Sequence, residues 1–136
     1  GYAVARAAIE AGADVTLVAT GFMTRFALDA ARELSGEGLK VDLLHYPSVK
    51  PFDAQALVES ARRTGAVVTV ENQNIIGGLG SAACEVLSEQ HPVRVKRLGI
   101  PDQFGEVADQ DYLFNKHGFG PNHIAKACRE LARATT

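Results

Sequence analysis

Ala66-Val67-Val68-Thr69-Val70-Glu71-Asn72-Gln73-Asn74-Ile75-Ile76-Gly77-Gly78-Leu79-Gly80-Ser81 passes from an unbroken apolar run, through a polar stretch, into glycines that open a helical segment. An unbroken β-branched run, rather than an alternating one, marks a strand buried on both faces. Such strands belong to parallel sheets whose two faces are covered by helices. The rest of the chain repeats the pattern. Val15 to Thr20, Val41 to Tyr46 and Val93 to Leu98 are further apolar runs, and alanine- and charge-rich stretches of helical period separate them. The spacing predicts one helix with Phe26, Ala27, Ala30, Ala31 and Leu34 on its inner face, ending at Gly36 or Gly38. A second runs from an Asp53 cap to Gly65, with Ala54, Leu57, Val58 and Ala61 inward. A third spans Ser81 to Glu89. The last opens at Pro121-Asn122 and buries Ile124, Ala127, Cys128 and Leu131. Val15 to Thr20 and Val67 to Val70 read as the centre of the sheet. Arg94, Lys96 and Arg97 place Val93 to Leu98 at an edge. Propensity favours a helix over Tyr2 to Glu10, with a short edge strand around Ala3 to Ala8 as the competing reading.

The chain has 136 residues, a net charge of −2, 46% hydrophobic and 22% charged residues. These values fit one self-sufficient globular domain and exclude a disordered or collagen-like chain. The mildly acidic balance speaks against nucleic acid as partner. No apolar run reaches the roughly 20 residues that span a bilayer, and the start lacks the features of a signal peptide. The only cysteines, Cys84 and Cys128, are far apart, which suggests two small buried hydrophobes in a reducing cytoplasm. The chain starts at Gly1, and Met23 is its only methionine. The expectation is therefore a processed or excised piece of a longer chain.

In a sheet of this kind ligands gather at the carboxyl ends of the strands. The loops there are Gly21 to Met23, Pro47 to Phe52, Asn72 to Gly80 and Gly99 to Glu106, and the candidate residues are Gly21 in the first and Glu71, Asn72, Gly77, Gly78, Gly80 and Ser81 at the third. Gly78 to Ala83 formally matches G-x-G-x-x-A, with Asp102 about 20 residues on, the outline of a dinucleotide site. Its context is poor, because Asn72 to Gly77 separate the glycines from the strand. No P-loop motif is present. His45, His91, His117 and His123 share no helix face and have no short-spaced partner, so no metal site is expected. Ser81 lies outside G-x-S-x-G, so a serine triad is not expected. Asp102, Glu106, Asp109 and Asp111 read as a solvated acidic loop.

Four segments resemble one family. Gly12-Ala13-Asp14-Val15-Thr16-Leu17-Val18-Ala19-Thr20-Gly21, Lys50-Pro51-Phe52-Asp53, Val68 to Glu71 with Gly77 to Ser81, and Leu98 to Glu106 are similar, in order and spacing, to motifs of the C-terminal domain of transketolase-like enzymes. The wider family includes transketolases, deoxyxylulose-phosphate synthases and the β parts of 2-oxoacid dehydrogenases. The resemblance implies an α/β fold of three α/β/α layers around a five-stranded mixed sheet. The implied strand order is 1-3-2-4-5, with strand 1 antiparallel, which favours the edge strand at Ala3 to Ala8. It implies a parent enzyme that moves a two-carbon ketol unit through thiamine diphosphate held by Mg²⁺. The family's Gly-Asp-Gly motif is absent from this chain, and its cofactor-activating glutamate belongs to a preceding domain. No catalytic residue is therefore carried over, and no cofactor is expected on this chain alone. The implied partners are the preceding pyrimidine- and diphosphate-binding domains or subunit, in a homodimeric parent. The rival reading is a small-ligand regulatory module that takes an anion at the rim.

Overall fold

The computed structural model describes residues 5–7 and 12–135. The rest of the two readings of the amino-terminal segment lies outside the described residues. The elements are β1 (Ala5–Ala7), β2 (Val15–Ala19), α1 (Met23–Gly36), β3 (Val41–His45), α2 (Ala54–Thr64), β4 (Ala66–Asn74), α3 (Leu79–Gln90), β5 (Arg94–Ile100), α4 (Gln110–His117) and α5 (Pro121–Ala134). Strands β3, β2, β4 and β5 run parallel in that spatial order, the α/β arrangement expected of unbroken apolar strands. Ala5–Ala7 lies antiparallel to β3, opposite Leu43 to His45.

Each face of the sheet has its own core. On one face Leu17, Val68 and Val70 meet Met23, Ala27 and Leu34 of α1 and Ile124, Cys128 and Leu131 of α5. On the other face Val18, Leu44 and Val67 meet Leu57 and Ala61 of α2 and Leu79, Ala83 and Leu87 of α3. Neighbouring residues such as Leu17 and Val18 serve opposite cores because side chains alternate along a strand. The sequence reading named the buried faces of α2 and α5, although Ala54 is only half-buried. In α1, Phe26 and Ala31 are half-buried and Met23 joins the inner face. Asp53 caps α2 by accepting from the Ala56 N–H at 3.0 Å. Gly65 ends that helix in the left-handed region at φ 72°, where a Cβ is unfavourable.

Three expectations need correction. Strand β4 does not stop at Glu71 but continues to Asn74, because Asn74 still pairs with Ile100 of β5. Helix α3 begins at Leu79, so the glycines stand at its start and not in a long loop. The acidic loop also contains an unforeseen helix, α4, with Asp111 in its first turn. Both cysteines are free, yet only Cys128 is buried and Cys84 is half-buried. Burial pushes the Cys128 thiol up to about 12, since a thiolate loses its hydration there. β5 sits at the sheet edge as expected, with Arg94 and Lys96 exposed. Among the described residues no helix is long and apolar enough to cross a membrane.

Candidate functional site

β2 and β4 are parallel neighbours, with Ala19 opposite Val70. The segments that leave their carboxyl ends therefore share one rim. At the end of β2, the Thr20 hydroxyl donates to the Tyr46 carbonyl at 2.7 Å, and the Tyr46 N–H donates to the Ala19 carbonyl at 2.9 Å. The chain then reverses through Gly21, at φ 57°, into α1. His45 Nδ1 and the Thr24 hydroxyl lie 2.7 Å apart and tie the ends of β3 and α1 together.

At the end of β4 the register against β5 shifts between Val70 and Asn74. Glu71 lies in that irregular stretch, and its side chain is fully buried. A buried carboxylate costs several kcal/mol unless its oxygens find donors. Here the donors are the free N–H groups at the start of α3. Leu79 N–H donates to Oε1 at 2.9 Å and Gly80 N–H donates to Oε2 at 2.8 Å. Gln73 Nε2 adds a third bond, to Oε1, at 3.2 Å. The amino end of a helix carries orphan donors and a partial positive charge, so a carboxylate is a fitting occupant. The residue eight positions upstream thus supplies the cap that Gly78, at the N-cap position, cannot provide.

The glycines follow from this arrangement. A Cβ on Gly78 would stand 1.9 Å from Glu71 Oε1 and 3.0 Å from the Asn74 carbonyl. One on Gly80 would press at 2.9 Å on Arg97 and on the Thr69 hydroxyl. Gly99, inside β5, would meet the Gln73 carbonyl at 2.9 Å and Glu71 Cγ at 3.1 Å. Gly77 is different: it has space around it but sits at φ 79°. Ser81 closes the turn. Its hydroxyl accepts from Gly77 N–H at 2.9 Å and donates to the Ile75 carbonyl at 3.0 Å. Arg97 Nη1 also donates to that carbonyl, at 2.9 Å.

The structure brings Glu71, Gly77, Gly78, Gly80 and Ser81 into one hydrogen-bonded unit, and it puts Gly21 on the neighbouring strand end. Asn72 lies in β4 with its side chain exposed. Sequence reasoning placed Gln73 and Gly99 in candidate loops but gave them, and Arg97, no role in this unit. A glycine inside a strand is the one available signal, because it marks a close backbone approach. Arg97 was read only as an edge charge.

This geometry decides how an anion or cofactor would fit. The loop borders an open depression of about 190 Å³ lined by Gln73, Asn74, Ile76, Gly77 and Gly78. A dinucleotide or phosphate at this helix start would use the same N–H groups that Glu71 already holds. The G-x-G-x-x-A match is therefore a packing motif, with the space at its first glycine filled by Glu71 and that at its second by Arg97 and Thr69 rather than open to a ligand. Gly-Asp-Gly is absent, and among the described residues no group of three or more His, Cys, Asp or Glu is placed to hold a metal ion.

Comparison with known proteins agrees with this fold. Residues 5–124 match the family described as transketolase, C-terminal domain. The chain is 51% identical over 120 residues to the 6-deoxy-6-sulfo-D-fructose transketolase subunit SqwH of Clostridium sp. (strain MSTE9), covering 88% of this chain and 37% of that protein. It is 39% identical over 124 residues to the 1-deoxy-D-xylulose-5-phosphate synthase of Heliobacterium modesticaldum, covering 90% of this chain and 19% of that enzyme. Among solved structures, a split-gene transketolase described as an inactive β4 tetramer superposes with a TM-score of 0.85 at 43% identity, over 95% of this chain and 42% of that one. The transketolase of Leishmania mexicana superposes with a TM-score of 0.71 at 26% identity, over 98% of this chain and 18% of that one. The chain thus spans well under half the length of these relatives, and it belongs to the transketolase C-terminal domain family.

Proposed function

We propose that this chain is the C-terminal part of a cytoplasmic, thiamine-diphosphate-dependent enzyme that transfers a two-carbon ketol unit. In this reading its role is structural: it completes the protomer and supports a homodimer, and the preceding pyrimidine- and diphosphate-binding domains or subunit hold the cofactor and Mg²⁺. The observation that carries the reading is the family match over residues 5–124, joined to a rim whose helix start is filled by the chain's own Glu71. The antiparallel pairing of Ala5–Ala7 with β3 supports the family's five-stranded mixed sheet, in the order 1-3-2-4-5. A ketol-transferring parent is favoured over a deoxyxylulose-phosphate synthase by the higher identity to the transketolase subunit, 51% against 39%.

Two measurements test this. Calorimetric titration of the isolated chain with thiamine diphosphate and Mg²⁺ should give no saturable heat; a clear saturable isotherm places a cofactor site on this chain and ends the proposal. The second puts this chain in place of the matched 120-residue segment of the Clostridium relative. That chimera should retain the relative's transketolase activity. A folded but inactive chimera counts against a shared role.

A further inference from the structure

The surface of the molecule is divided by chemistry. Among the described residues, five large apolar side chains are exposed: Phe22, Ile76, Phe104, Val107 and Tyr112. Phe22 follows β2, Ile76 follows β4, and Phe104 and Val107 follow β5, so these four leave the carboxyl ends of the parallel strands. Tyr112 lies in α4, the next element after β5. Phe104 and Val107 are exposed to 102% and 106% of their reference areas, so they touch nothing else in this chain. They stand on a strap, residues 101–109, that carries no helix or strand before α4. The strap is tied back where Lys116 of α4 pairs with Glu106. Phe22 is the outer end of an aromatic file that runs inward through Phe26 and Phe114 to Phe119, with ring centroids 5.0–5.8 Å apart. The opposite rim is charged, with Asp14, Glu37, Arg62 and Arg133 exposed.

Several large apolar side chains gathered on one rim mark a contact surface, whereas scattered ones do not. We propose that this rim, with Phe104 and Val107 as anchors, is the face on which the adjoining domain of the parent protein seats. The inference deepens the proposed function and rests on it. Two observations select this occupant. The chain spans 37% of the transketolase subunit it matches at 51% identity, so a body larger than this domain is joined to the equivalent region there. The strap is also acidic, with Asp102 and Asp109 either side of the two anchors, Glu106 between them paired with Lys116, and Asp111 next to it in the first turn of α4. A second copy meeting this one strap to strap would set like charges against each other. The fitting partner surface is an apolar pocket edged by lysine or arginine.

Hydrogen exchange on the isolated chain and on the chimera with the Clostridium relative tests the proposal. In the isolated chain the amides of 102–108 should exchange freely. In the chimera their protection should rise about tenfold or more, while peptides of the opposite rim around Arg62 and Arg133 should not change. Protection of the opposite rim instead overturns this surface and leaves the proposed function standing. If neither rim is protected, the domain does not dock, and both readings fall. Protection of the strap that grows with concentration in the isolated chain means a second copy is the occupant, and that also overturns the proposal. The paired substitution Phe104→Ser/Val107→Ser gives a second readout in the isolated chain. It should leave the melting temperature unchanged, because neither side chain packs within the chain. A marked loss of stability shows that they do, and removes the anchors.

Discussion

Glu71, one of the candidate rim residues, is an acid that the fold places at a helix start. Both of its oxygens accept from backbone N–H groups inside the protein. Glu71→Gln keeps the shape but turns one acceptor into a donor that faces an N–H. The expected cost is about 1–3 kcal/mol, since a buried donor loses its partner. Thermal unfolding followed by circular dichroism reads this as a fall of several degrees, and an unchanged midpoint would contradict the capping role. Gly78→Ala should cost at least as much, because its Cβ would stand 1.9 Å from Glu71 Oε1 and the packed carboxylate has nowhere to go. Gly36→Ala is the matched control. Nothing lies within 4 Å of that position and it ends α1, so the change should be neutral or slightly stabilising.

Cys128 makes a pH-dependent prediction at the same scale. Burial holds its thiol protonated to about 12 in the folded chain, against roughly 8.5 in an unfolded one. A group whose folded pKa is raised contributes stability that is complete below the unfolded value and is lost as pH rises towards the folded value. Chain stability should therefore decline from about pH 8.5 upwards, with Cys128→Ala flattening that part of the profile. Native thiol labelling at mildly alkaline pH should modify half-buried Cys84 before buried Cys128. Equal labelling rates would show that Cys128 is accessible.

At the scale of elements, what was legible depended on whether local signals and tertiary demands agreed. Helix α2 carries its own punctuation, Asp53 at the start and Gly65 at the end, and α5 carries an apolar stripe from Ile124 to Leu131. Both could be read residue by residue. Helix α4 could not, because Phe114 is its only buried residue. Its apolar residues, Tyr112, Leu113 and Phe114, are consecutive and so carry no helical period. Its anchor is tertiary, with the Phe114 ring edge-on to Phe26 at 5.1 Å and to Phe119 at 5.0 Å. The same reasoning explains the extra length of β4. Asn72, Gln73 and Asn74 are poor strand formers, but Asn74 pairs with Ile100 and the Ile75 N–H reaches the Ile100 carbonyl at 2.9 Å. Phe114→Ala should cost about 3–5 kcal/mol, as other large-to-small core changes do. The amides of residues 110–117 should lose exchange protection before those of α5. Uniform loss across both helices would show that α4 is not held by this one ring.

At the scale of the whole molecule, the rim and the core follow from one topology. The parallel order β3, β2, β4, β5 puts the ends of β2 and β4 side by side, which is why Gly21 and the glycine turn after Glu71 share an edge. The unbroken apolar strands disclose a parallel sheet covered on both faces, and the order that makes β2 and β4 neighbours is what the family resemblance implies. The close approaches at Gly78 and Gly99 were not legible, because they appear only when β4, β5 and α3 are packed together. The two cores are separated by the sheet and yet joined by it, since Leu17 and Val18 are consecutive residues facing opposite sides. Neither core can open without exposing the back of a strand that the other core covers, so the domain should unfold as one unit. Leu17→Ala and Val18→Ala strike different cores, and each should lower stability through lost burial, by about 2–5 kcal/mol for the leucine and somewhat less for the valine. In both variants the far-ultraviolet signal of the helices and the near-ultraviolet signal of Tyr46, which is buried only in the second core, should fall at the same temperature. If Leu17→Ala lowers the helical transition and leaves the Tyr46 transition where it was, the two faces are separate folding units and the single-domain account fails.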